Sequence, residues 1–138
     1  MNNPRIIYPT PDGVAITTPT GEVPIEQVAQ QVAPDGIYAI VTADQIPADR
    51  TFRGAWTYGD TGVGIDLDRA KAIGHDLRRA ARVRAFAPYD KVISLQIPGA
   101  DHNAAEAKRA AIRARYVIIE AAIDAAATAD EIKEALQG

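Results

Sequence analysis

The sequence predicts an α+β protein: a small N-terminal unit of hairpin and mixed α+β type, then a C-terminal helical hairpin or coiled-coil-like arm. Strand-type and turn-type runs fill roughly the first 60 residues, and alanine- and charge-rich segments of helical period fill the rest. Charge also divides along the chain. Residues 1–68 carry three basic and nine acidic side chains, residues 69–91 seven and two, and residues 92–138 five and seven. The net charge of −3 therefore conceals segments of −6, +5 and −2. Such segregation points to complementarity within or between chains.

The elements follow in order. Residues 5–8, RIIY, form a short strand; Pro11-Asp12-Gly13 turns the chain; VAITT, 14–18, returns it as a hairpin. Pro24 suits the first position of a helix over 25–33, where Ile25, Val28, Ala29 and Val32 share one face. Pro34-Asp35-Gly36 ends it, and IYAIVT, 37–42, is the strongest strand, with Tyr38 and Ile40 on one side and Ile37, Ala39 and Val41 on the other. The Gly-rich segment 61–66 is expected to be a flexible joint between a unit of residues 1–60 and an arm of residues 67–138.

Asp66 is placed to cap the first helix of the arm, 67–87. Pro88 is expected to kink or break that helix, because it lacks an amide and crowds the preceding turn, and a separate helix covers 89–97. Pro98-Gly99 reverses the chain. Asn103 with Glu106 has capping-box spacing and opens a helix over 103–126; Thr128 with Glu131 opens a last one over 129–137. Ile112, Tyr116, Ile119 and Ile123 step by four, three and four, a seam fit for a helical partner inside or outside the chain.

The chain's single tryptophan and one of its two phenylalanines lie close together in residues 46–60, IPADRTFRGAWTYGD. Asp49 can accept from the amides of Thr51 and Phe52, which places Phe52 and Trp56 on one face of a helical turn. Arg50 and Arg53 are then in range of Asp44 and Asp60. The aromatic pair is either a plug for a small core or a docking knob; with so few large side chains to build a core, the plug is favoured.

The motif Pro47-x-Asp49-Arg50-Thr51-Phe52-Arg53-x-Ala55-Trp56 resembles a recurrent signature of small tailed-bacteriophage proteins encoded beside tail or tail-fibre genes. Ile6 to Tyr8, Asp12 to Ala15, and Ala127, Thr128, Glu131 and Ile132 are similar in order as well. The resemblance implies a tail or tail-fibre assembly factor, or a minor virion component, without enzymatic activity. It implies host cytoplasm during assembly, and the virion, as its locations, and it carries over no catalytic residue.

Chemistry of other kinds finds little support. There is no cysteine, which excludes disulfides and thiolate ligands or nucleophiles. His75 and His102 have no partner at metal-ligand spacing and are expected to face solvent or cap helices. Ser94, the only serine, lacks a nucleophile elbow, and GDTGVG, 59–64, lacks the Gly-Lys-Ser/Thr of a phosphate loop. No cofactor, metal or membrane span is expected.

The partner-binding residues read from the sequence are Arg50, Phe52, Arg53, Trp56, Arg78, Arg82, Ile112, Tyr116, Ile119 and Ile123. The expected partners are other tail or tail-fibre proteins, or a second copy of this chain. The alternative is a nucleic-acid-associated phage factor using the basic block Arg78–Arg84, disfavoured by the acidic total charge and the lack of interleaved aromatics.

Overall fold

A computed structural model describes residues 3–96 and 98–138. The chain is α+β, with five short strands in two antiparallel sheets preceding three helices. It divides into two units, Met1–Ala70 and Lys71–Gly138.

In the first unit, β1 (Pro4–Thr10) is the central strand of a three-stranded sheet. β2 (Gly13–Thr17) pairs with it through the Pro11-Asp12 turn, and β3 (Ala39–Thr42) pairs on its other edge. Gly13 closes the turn at φ +138°, a conformation open to glycine at little cost. Between β2 and β3 runs α1 (Ile25–Val32). Pro24 stands one position before it, as the N-cap, and Ile25, Val28, Ala29 and Val32 are its buried and half-buried residues.

The segment 46–66 departs from the sequence reading. The Asp49 carboxylate accepts from Thr51 N at 3.0 Å and Thr51 Oγ1 at 2.6 Å, but the helical turn that follows is a single 3-10 turn, Arg53–Ala55. At Trp56 the chain becomes β4 (Trp56–Gly59), which pairs with β5 (Gly62–Ile65) around Asp60-Thr61. The expected flexible joint at 61–66 is therefore mostly a paired strand. Its glycines serve close approach: a Cβ on Gly62 would fall 2.9 Å from the Gln45 carbonyl, and one on Gly64 2.7 Å from Thr57 Oγ1. Ile7, Val14, Ala39, Val41 and Trp56 form the core, flanked by Ile16, Ile46, Tyr58 and Val63.

Most of α2 (Leu67–Leu95) lies in the second unit, and it is one helix, where two were expected. The Asp66 cap holds, with Oδ1 accepting from Arg69 N at 3.2 Å. Pro88 lies within α2 on its exposed side, so the carbonyl deprived of a partner can be hydrated. The inward stripe Phe86, Tyr89, Val92 and Ile93 continues past it, and that burial offsets a cost of about 3 kcal/mol. The expected 89–97 helix thus merges into α2; its last residue, Ile97, lies outside the described residues. Gly99, at φ +80°, turns the chain.

α3 (His102–Ala125) is capped by Asp101, whose Oδ1 accepts from Ala104 N at 2.9 Å. Asn103 is not the cap. An aspartate one residue outside the helix brings a full negative charge to its positive end, and Glu106 is left free for arginines. α4 (Ala129–Gln137) begins at the predicted Thr128, which accepts from Glu131 N at 3.2 Å. The Glu131 carboxylate reaches back past the cap to accept from Ala127 N.

α2 and α3 run antiparallel. Polar rungs join His75 to Asp124, Arg78 to Glu120 and Asp90 to Arg109, and the residue numbers at each rung sum to 198 or 199. That constancy fixes the register and centres the reversal at Gly99. Tyr116, Ile119 and Ile123 point inward with Phe86 and Ile132 buried beside them in the same unit. Gly74 is the tightest point: a Cβ there would fall 2.6 Å from Ile132 Cγ2 and 3.5 Å from Ile123 Cγ2.

Two expectations follow for stability. Gly74→Ala should destabilise the second unit by about 1–3 kcal/mol despite alanine's better helix propensity, because stiff, fully buried Ile132 cannot yield; the urea midpoint followed by helical circular dichroism checks it. Trp56→Ala should cost the first unit about 3–5 kcal/mol, read by loss of its dispersed methyl resonances.

Candidate functional site

The candidate site is a face of the helical arm, and it arises from what the α2–α3 seam leaves outside. Each helix turns about 100° per residue, so an inward stripe at steps of three and four leaves its flanking positions in solvent. On α2 those flanks carry Arg79 and Val83; on α3 they carry Arg113 and Val117. Val83 and Val117 are 69% and 65% exposed, and both line a groove of about 390 Å³. Arg78, Arg82, Tyr116 and Glu120 complete its walls.

The electrostatics of this groove are uneven. Arg78 is only 8% exposed; one guanidinium nitrogen lies 3.9 Å from Glu120, and its Nε donates to His75 Nδ1 at 3.2 Å. Arg79 pairs with Asp76 at 2.9 Å, and Arg113 with Glu106 at 3.0 Å. Arg82 forms no ion pair among the described residues; its guanidinium lies over the Phe86 ring, 4.7 Å from the centroid. Four arginines thus line the groove against a single carboxylate, Glu120.

Behind the groove, His75 departs from expectation. Its side chain is largely buried, and Nε2 lies 2.7 Å from Asp124 Oδ1. Because Arg78 Nε can only donate, Nδ1 accepts and the proton of the neutral ring sits on Nε2, directed at Asp124. Lys71 Nζ donates to the Asp124 carbonyl at 2.8 Å and ties the same end of α3. Both ring nitrogens are engaged within the unit, so His75 fixes register. His102 is the exposed first residue of α3.

Near the reversal, Glu106 accepts from Arg109 Nη1 at 2.8 Å and Arg113 Nη2 at 3.0 Å. Its carboxyl is held below the ordinary range, chiefly by the Arg113 hydrogen bond; loss of water opposes this, and Arg109 adds to the lowering. Arg109 Nε also lies 2.9 Å from Asp90 Oδ1, yet its N–H is not aligned on that oxygen. The contact is an ion pair without a well-formed hydrogen bond.

Most of the ten residues expected to bind partners lie elsewhere. Phe52 and Trp56 are 4% and 1% exposed, so they form the plug and present no knob. The indole N–H of Trp56 has no acceptor among the described residues, which leaves volume as its contribution. Tyr116, Ile119 and Ile123 are buried and Ile112 half-buried, so this seam is spent within the arm. Arg50 and Arg53 are exposed, but neither pairs with Asp44 or Asp60 among the described residues; Asp44 accepts from Thr42 Oγ1 instead. Of the ten, Arg78, Arg82 and Tyr116 line the groove, Tyr116 as a buried part of its wall.

No family model, curated protein or solved structure matches this chain. Among the described residues, no cluster of three or more histidines, cysteines and carboxylates could hold a metal, and no helix is long and apolar enough to cross a membrane.

The Glu106 cluster has a pH signature. A depressed carboxyl pKa contributes stability that is present above the ordinary carboxyl value and lost as pH falls through the lowered one. Glu106→Gln should therefore lower the urea midpoint at neutral pH, and the gap from the parent chain should close on acidification. A gap independent of pH would contradict this reading.

Proposed function

We propose that this is a non-enzymatic bacteriophage protein that works by protein–protein contact in tail or tail-fibre assembly, as a chaperone or a minor virion component. The phage assignment rests on the resemblance of the Asp49–Trp56 motif and its flanks. The mode of action rests on one observation: Val83 and Val117 stand open on a groove lined by four arginines. Arginine is enriched at docking surfaces, and the two exposed valines among these arginines give a partner apolar area from which to exclude water.

The nucleic-acid alternative has less support. Arg78 is buried against Glu120, so the block offers phosphate fewer free cations than its sequence suggests.

The test is binding of the purified chain to tail and tail-fibre proteins from the same genome, measured by calorimetry. Val83→Asp with Val117→Asp should weaken the complex at least about tenfold, the equivalent of about 1.4 kcal/mol. Failure of every tail protein to bind would refute the assignment. A DNA affinity falling steeply with salt, at a log–log slope of about −0.9 per phosphate contact, would favour the alternative.

A further inference from the structure

We infer that the groove on the helical arm takes an acidic amphipathic α-helix of the partner, laid between α2 and α3. The inference rests on the docking role proposed above and adds the chemistry of what docks.

Shape comes first. The walls are two antiparallel helices, and the wall residues on α3 run from Arg113 to Glu120, about 10 Å or two helical turns at 1.5 Å per residue. A channel between two helices, with an exposed valine on each wall, matches the ridge of a third helix. A strand would need backbone donors and acceptors along the channel, and helical walls have already used theirs.

Charge then fixes the sign. Arg82 is half-buried, lies over Phe86, and lacks a carboxylate among the described residues. Arg79 and Arg113 are exposed; the Arg79 pair with Asp76 is a surface pair of little worth, open to exchange for an incoming acid, and Arg113 has donors to spare beyond Glu106. A helix with apolar residues at steps of three and four, flanked by glutamates, satisfies both the valines and the arginines. A nucleic-acid strand satisfies only the arginines and leaves Val83 and Val117 in water.

The experiment uses the full chain and three stapled helical peptides of about 18 residues, long enough to hold a helix. The first carries a leucine stripe flanked by glutamates. The second replaces the leucines by serine, and the third replaces the glutamates by lysine. Fluorescence anisotropy should show the first binding at least about tenfold tighter than either control. Arg82→Glu, Val83→Asp and Val117→Asp should each weaken it by about that factor, with far-UV spectra unchanged; having three variants at exposed or half-exposed positions guards against one that misfolds. Equal binding of the serine or lysine peptide, no binding of the first, or its displacement by a DNA duplex would overturn the inference. If tail proteins bind but the glutamate–leucine peptide does not, the helix inference alone falls. If the peptide binds and no tail protein does, the phage assignment falls and the helix-binding groove stands.

Discussion

The inner seam between α2 and α3 is the constraint on which the second unit depends. Its buried large apolar side chains are few: Phe86 on one helix, Tyr116, Ile119 and Ile123 on the other, with Ile132 of α4 closing one end. The seam is narrow, and Gly74 lets α2 come close to Ile132 of α4 and, less tightly, to Ile123 of α3. The same narrowness decides the surface. Apolar residues one position outside the stripe, such as Val83 and Val117, have no place inside and remain on the flanks.

The polar rungs act on register more than on stability. Surface ion pairs contribute little, and a partly buried arginine such as Arg78 incurs a desolvation cost that its 3.9 Å approach to Glu120 barely offsets. What the rungs do is penalise slippage. Sliding α3 by one turn would leave Arg78 buried without Glu120 and His75 without Asp124. Alanine-rich helices need such devices, because small side chains interlock poorly. Fixing the register also fixes which flanking residues face each other across the groove.

The legible parts of the fold were those set by local chemistry. The Asp66 and Thr128 caps, the Pro98-Gly99 reversal, the alternation of Ala39 and Val41, and the inward steps of Tyr116, Ile119 and Ile123 follow from spacing alone. The misread parts were settled by competition or distance. The β4–β5 hairpin was hidden by its glycines, although Trp56-Thr57-Tyr58 alternates ahead of a Gly-x-x-Gly turn. Pro88 was overruled by a burial stripe that continues past it. Asp101 displaced Asn103 as cap because it sits one position outside the helix and carries a charge. The pairing of His75 with Asp124, 49 residues apart, requires the hairpin register before it can be seen. The groove was half legible: the basic block was plain in the sequence, but the valines become a feature only once the isoleucine seam is known to be internal.

The arm sorts its apolar side chains, with Ile119, Ile123 and Ile132 inside and Val83 and Val117 open to solvent. Methyl NMR of the free protein with a soluble paramagnetic agent tests it most directly. Strong broadening at Val83 and Val117, with protection at the three isoleucines, is the expected result. Protected valines, or broadened isoleucines, would contradict it.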